Sequence, residues 1–320
     1  MNTWYSACDK AAGILWDKIP HTYRTRTFSG ILGDIKALPP HKALSLISRK
    51  KGLGIQFAYL YLTTGVSGGY GYQACAVEAL SSVLGEKRDS VIRGNILDVG
   101  CAVGVTAGVM GLDGITGFDL FTDLLHAARL VDSFTGAHNT YISADMTTVW
   151  PLLHCRFDSV VCGLVCHHLK DQNDIVTFFS ETNRVLDTGG KLVITLPSGS
   201  VSTTVQMEYL VDAIEQFGFR VDRNLSGIVI SVDSSHSLFW MFVITARKIS
   251  DNTAGVFIDP GFGFPSFRTP VTREEKGLRA KETVKNIRQV KHEIFNMIRI
   301  DELLERYPEQ TFVFENVQVL

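Results

Sequence analysis

Three aspartates, Asp98, Asp119 and Asp145, stand among glycines and small apolar residues, and two adjacent histidines, His167 and His168, follow them. In residues 95–108, N-I-L-D-V-G-C-A-V-G-V-T-A-G, a carboxylate two positions before a glycine turn suits a ligand that carries an ammonium group and would repel a pyrophosphate. The glycines fall at Gly100, Gly104 and Gly108, with Ala102 where the middle glycine of G-x-G-x-x-G would stand, which argues against NAD or FAD. The carboxylate of Asp119, in G-F-D-L, can accept two hydrogen bonds from ribose hydroxyls; the competing reading is a helix N-cap, because Thr122 and Asp123 follow. Asp145, in S-A-D-M, is by itself an ordinary turn aspartate. His167 or His168 can deprotonate an acceptor, since imidazole titrates near neutral pH; the alternative is one packing histidine and one helix-start contact.

The elements that must hold these groups are read from apolar periodicity. Ile96, Leu97 and Val99 form a short, nearly continuous apolar run, as in a strand covered on both faces, and Gly100 ends it where the backbone can approach a ligand. From residue 95 to 248 strand and helix patterns alternate, which predicts an α/β core with an open, mainly parallel, doubly wound sheet. Further strands are expected at 114–119, 140–142, 159–165 and 191–196, the last preceded by a helix end at Asp187-Thr188-Gly189-Gly190. A strand start at 218–221 and a long strand at 237–246 are expected to close the sheet as an antiparallel hairpin.

Residues 1–94 read as a helical cap, with helices at 37–50 and 73–84. Between them, residues 63–72 are rich in glycine and include Tyr70 and Tyr72, which fits either a lid that closes over a ligand or a plain linker. Residues 249–320 read as an addition: a loop at 259–265, a capping-box pair Thr272 and Glu275, and an amphipathic helix running towards Arg299. That helix is expected to pack on the core or to join two copies as a homodimer.

Taken in order, these segments resemble the class I S-adenosylmethionine-dependent methyltransferases. The stretch around Asp98 resembles the family's motif I, an acid, one residue, then glycines. F-D-S-V-V-C-G-L-V-C-H-H-L at 157–169 resembles motif IV, and R-V-L-D-T-G-G-K-L-V-I-T at 184–195 resembles the late Gly-Gly strand signature. The resemblance implies a seven-stranded sheet and S-adenosylmethionine as cofactor, with S-adenosylhomocysteine as product. It implies cofactor contacts from Asp98, Gly100, Cys101 and Gly104, from Asp119 and Leu120 at the ribose, from Asp145 at the adenine amino group and Met146 against the ring. Gly163 and Leu164 would line the methionine portion. The expected reaction moves a methyl group to oxygen or nitrogen of a small molecule, in specialised metabolism, with no metal. The acceptor would be lined by Tyr70, Tyr72, His167 and Glu208.

Composition sets the remaining bounds. A net charge of −2 gives no global nucleic-acid signature. The six cysteines form no C-x-x-C pair and read as reduced thiols of a cytoplasmic protein, and no run is long enough to span a bilayer. Two other function classes fit the same residues. Ala102 and the C-terminal addition suit a binding protein that keeps the fold without transfer. The basic clusters suit an RNA or protein methyltransferase, although no N/D-P-P-Y-type motif follows the fourth strand.

Overall fold

The computed structural model describes residues 3–25, 31, 42, 45–47, 50, 52–63, 70–169, 172–197, 211–232, 238–251 and 298–299. The sheet runs through β1 (Ile96–Val99), β2 (Thr116–Asp119), β3 (Thr140–Ser143), β4 (Phe157–Gly163), β5 (Leu186–Pro197), β6 (Phe219–Val221), β7 (Gly227–Val232), β8 (Leu238–Lys248) and β9 (Ile298–Arg299). Its order is β3-β2-β1-β4-β5-β8-β7-β9, with β6 also on β8. The five strands from β3 to β5 pair in parallel, while β8 is antiparallel to β5, β6 and β7. Since β6 and β7 share one side of β8, the strands fill the seven lateral positions expected of the fold, and the two-residue β9 adds an eighth at the edge.

Alternation along each strand divides the core in two, because successive side chains point to opposite faces. Leu97, Val99, Val160, Cys162, Leu192, Ile194, Phe242 and Ile244 enter one cluster with Phe178 and Phe179 of the helix Gln172–Val185. Ile96, Val161, Val193, Met241 and Val243 enter the other. Residues of the N-terminal helices join this second cluster: α1 (Thr3–Lys18), α2 (Leu53–Thr63) and α3 (Tyr70–Leu84) contribute Trp4, Leu15, Phe57, Leu62, Val77 and Leu80. The N-terminal helices and the sheet therefore share one continuous core.

Several expectations change. Residues Asp187–Gly190 do not end a helix. They lie inside β5, where the register against β4 jumps from Phe157↔Leu186 to Ser159↔Lys191, and Gly189 adopts φ 86°; extra residues in one strand force an irregularity of this kind. Tyr70 and Tyr72 sit in the first turn of α3, not in a loop. Strand β7 is an addition to the expected hairpin, and it gives β8 a second antiparallel partner beside β6. Ile298 and Arg299, placed by periodicity on a helix, instead pair with Ile228 and Gly227 of β7, whose edge offers backbone donors and acceptors that a strand satisfies. Residues 64–69, most of 37–50, Glu208, the loop at 259–265 and the Thr272–Glu275 pair lie outside the described residues. Among the described residues no helix is long and apolar enough to cross a membrane.

Candidate functional site

The chain leaves β1 towards β2 and β3 on one side and returns to lay β4 on the other, so a crevice opens beyond the carboxyl ends of β1 and β4. Asp98, Gly100, Asp119 and Gly163 all sit at or just beside these strand ends. Asp98 shares the face of Ile96, under the N-terminal helices. It is 0% exposed, and neither carboxylate oxygen has a hydrogen-bond partner. A buried, unpaired carboxylate is costly. Burial pushes its pKa up to about 7, against the lowering effect of the Thr106 hydroxyl beside it, and the charge of Asp119 raises it further.

The turn after β1 is built from backbone. The amides of Gly100 and Cys101 both donate to Phe118 O, at 2.8 and 3.1 Å, and Gly104 N donates to Cys101 O at 2.8 Å. Gly100 has φ 72°, and a Cβ there would overlap the methyl groups of Val165, so only glycine lets β1 turn against the segment after β4. Cys101 serves the turn through its backbone, while its buried thiol packs with Leu125, Ala128 and Tyr141. At Gly104 a Cβ would meet the Tyr141 hydroxyl at 2.7 Å, so this glycine makes room for a side chain of β3.

Ala102 adopts φ 48°, a left-handed conformation that costs a non-glycine residue about 1–2 kcal/mol. Its methyl group is buried in the core cluster, and its N–H donates to Asp119 Oδ2 at 3.0 Å. Asp119 Oδ1 accepts from Phe121 N at 3.0 Å. The helix Thr122–Thr135 begins after Phe121 with no side-chain cap, so Asp119 is not its N-cap and instead ties the β1 turn to the β2 tip. Burial raises the Asp119 pKa to about 6, against the lowering effect of the Phe121, Ala102 and Leu120 amides.

The other predicted residues divide. Asp145 Oδ1 accepts from the amide and hydroxyl of Thr147 at 2.9 and 2.7 Å, the local turn that its sequence allowed. Met146, partly buried, packs against the second core cluster, and its carbonyl accepts from Trp150 Nε1 at 3.2 Å. Among the described residues, a Cβ at Gly163 would meet only Thr195 Oγ1, at an ordinary contact distance of 3.8 Å. Leu164, with φ 55°, is held there by donation from its amide to Thr195 O at 3.0 Å and Oγ1 at 3.2 Å. Of the three non-glycine residues with positive φ among the described residues, Ala102 and Leu164 flank the crevice, the kind of place where backbone strain concentrates. The histidines lie on the 3-10 turn Cys166–His168 after β4, with His168 exposed. The side chains of His167, Tyr70 and Tyr72 lie outside the described residues.

Two residues missing from the sequence reading complete the crevice. Gln73 of α3 is buried; its Nε2 donates to Gly100 O at 3.2 Å and to Gly163 O at 3.4 Å, spanning the tips of β1 and β4. Its Oε1 accepts from the Tyr61 hydroxyl of α2 at 2.6 Å. The Tyr61 phenol is raised above its usual pKa by burial and then by the charges of Asp119, Cys101 and Asp98, which places it beside the same carboxylates. A signal existed for Gln73: it lies on the apolar stripe of Ala76, Val77 and Leu80, where an amide needs a buried partner. Together these groups bring carboxylates and carbonyl oxygens to the tips of β1, β2 and β4, a set complementary to a cation.

The profile of a family described as "Methyltransferase domain" matches residues 97–194, the span from β1 to β5. A ubiquinone biosynthesis O-methyltransferase of Vibrio atlanticus is 29% identical over 113 residues, covering 31% of this chain and 48% of that protein. Its counterpart from Proteus mirabilis is 31% identical over 113 residues, covering 31% and 46%. The chain thus spans about half the length of the curated relatives it matches. The structure of an S-adenosylmethionine-dependent methyltransferase from Mesorhizobium loti is 17% identical, with a TM-score of 0.40, and covers 57% of this chain and 100% of that one.

Proposed function

We propose, from the premise that residues 97–194 form a class I S-adenosylmethionine-dependent methyltransferase domain, that this protein transfers a methyl group from S-adenosylmethionine to a small molecule. The observation that carries the reading is Asp98: a carboxylate with no solvent exposure and no hydrogen-bond partner, at the switch point of the sheet. Such a group is uneconomical in an enzyme that binds an anion at this turn and suits one that binds an ammonium there. The lack of a side chain at Gly163 suits close approach of the methionine portion, and the Asp119 carboxylate at the β2 tip suits the ribose hydroxyls. Asp145, whose Oδ1 is held by Thr147, suits the adenine amino group through its other oxygen.

The sulfonium of the cofactor supplies an activated methyl group. The task left to the protein is orientation and exclusion of water, supplied here by rigid strand tips and by the aromatic side of α2, where Phe57 stacks edge-on to Tyr61 and Phe121. The relatives are named as O-methyltransferases, which supports oxygen as the acceptor atom. An acceptor hydroxyl must lose its proton, and His167 and His168, on the turn directly after β4, are the candidate bases. Calorimetric titration with S-adenosylhomocysteine and a search for S-adenosylhomocysteine formation over a panel of phenols, alcohols and amines test the reading together. Micromolar binding with turnover of any acceptor supports it, and absence of binding at millimolar ligand ends it.

A further inference from the structure

Two backbone carbonyls from different strands, Gly100 O and Gly163 O, converge on one nitrogen, the Nε2 of Gln73, at 3.2 and 3.4 Å. They flank the switch point, and Asp98 shares the face of Ile96, the side of the sheet that carries the N-terminal helices. Two carbonyl oxygens and a carboxylate make a full set of acceptors for an ammonium, which has three N–H donors. The amide of Gln73 satisfies both carbonyls with its two hydrogens, yet it is neutral and leaves both Asp98 oxygens unpaired. Its own oxygen is held by the Tyr61 hydroxyl at 2.6 Å, so the side chain is fixed at both ends.

We propose that Gln73 is a gate on the amino-acid end of the cofactor site. In the structure its carboxamide stands in the place of the ligand's ammonium on Gly100 O and Gly163 O, and binding requires it to swing away and release Tyr61. The inference rests on the assignment of S-adenosylmethionine to this crevice. It also accounts for Asp98: the neutral amide meets the two carbonyls and brings no charge to the buried carboxylate, which a cation would. The closed arrangement, held by three hydrogen bonds, outweighs the open one by roughly tenfold or more, and apparent affinity is reduced by that factor.

Two ligands and two variants test the gate. S-adenosylhomocysteine carries the amino-acid end, whereas 5′-methylthioadenosine keeps the adenosine and lacks the ammonium and carboxylate. In Gln73→Ala, the dissociation constant for S-adenosylhomocysteine should fall about tenfold while that for 5′-methylthioadenosine stays within about twofold. Tyr61→Phe keeps the amide and loosens its anchor, so it should act in the same direction by about threefold, even where Gln73→Ala does not fold. If both variants weaken S-adenosylhomocysteine, leave it unchanged, or change both ligands by the same factor, Gln73 is a structural clamp and the gate is wrong. If the wild-type protein binds neither compound, the cofactor assignment falls, and the gate with it; binding of both without the selective change overturns the gate alone.

Discussion

Replacing Asp98 by asparagine should make the protein more stable while impairing the site. Asp98 is fully buried without a partner, and its pKa is raised from 3.8 to about 7. For an acid raised by folding, the native state holds its proton longer than the unfolded chain does. The penalty is therefore absent below the unfolded value, grows as pH climbs, and is complete above the folded value. The interval from 3.8 to about 7 corresponds to about 4 kcal/mol at pH 8, and to less than half of that at pH 5, where only the unfolded chain has ionised. The substituted carboxamide is neutral at every pH, so Asp98→Asn should gain stability over wild type by up to about 4 kcal/mol at pH 8 and by clearly less at pH 5. Urea denaturation at both pH values, without ligand, measures this. In the same variant the affinity for S-adenosylhomocysteine should fall about tenfold or more, because a charge-assisted pair with its ammonium is lost. Wild-type affinity should itself weaken below pH 7 as Asp98 takes up its proton. A variant less stable than wild type at pH 8, or a difference that does not change between pH 5 and pH 8, would refute the reasoning that Asp98 is an uncompensated carboxylate.

Three further substitutions probe the supports of the site. Asp119→Ala removes the acceptor of the Ala102 and Phe121 amides as well as the proposed ribose contact, so it should cost about 1.5–3 kcal/mol of binding free energy and some stability; unchanged affinity by calorimetry would sink the ribose assignment. Gly100→Ala puts a methyl group into Val165 at φ 72° and should cost about 2–4 kcal/mol in chemical denaturation, with partial recovery in the Val165→Ala double variant; failure of that recovery would show that the contact is not the cause. Lys248 is 0% exposed and donates to Asn183 O and Leu186 O, both at 2.8 Å, and to Asp251 Oδ1 at 2.7 Å. Lys248→Met should therefore cost about 2–4 kcal/mol by stranding those carbonyls, and a shift in the urea midpoint within error would contradict this.

What the sequence made legible is what repeats locally. The alternation of β1, β2 and β4 and the aspartates at the strand ends lie within a few residues of where periodicity places them, because both are consequences of one strand's pattern. The irregular part of β5 was not legible: whether Asp187-Thr188-Gly189-Gly190 closes a helix or bulges in a strand depends on the register imposed by β4. Gln73 and Tyr61 were missed for a similar reason. The bond from Gln73 to Gly163 joins positions that only the folded sheet brings together, and no local spacing encodes it. Asp119 shows the limit from the other side. Its residue type and place suggested a cap or a ligand contact, but the structure adds a third task, holding Ala102 in a conformation that alanine resists.

Gly108 has a consequence for how the chain is made. A Cβ at this position would overlap the indole of Trp4, which is buried against it, so α1 is seated on a notch that the core must supply. At roughly 5–20 residues per second, Trp4 leaves the ribosome about 5–20 s before its seat exists. During that interval Trp4, Ala7, Ala11 and Leu15 form an apolar stripe whose cover is incomplete, with α2 in place and the core seat still to come. Substitutions at Gly108 should show themselves first as lost yield during synthesis, with the mature protein that survives binding its ligand normally.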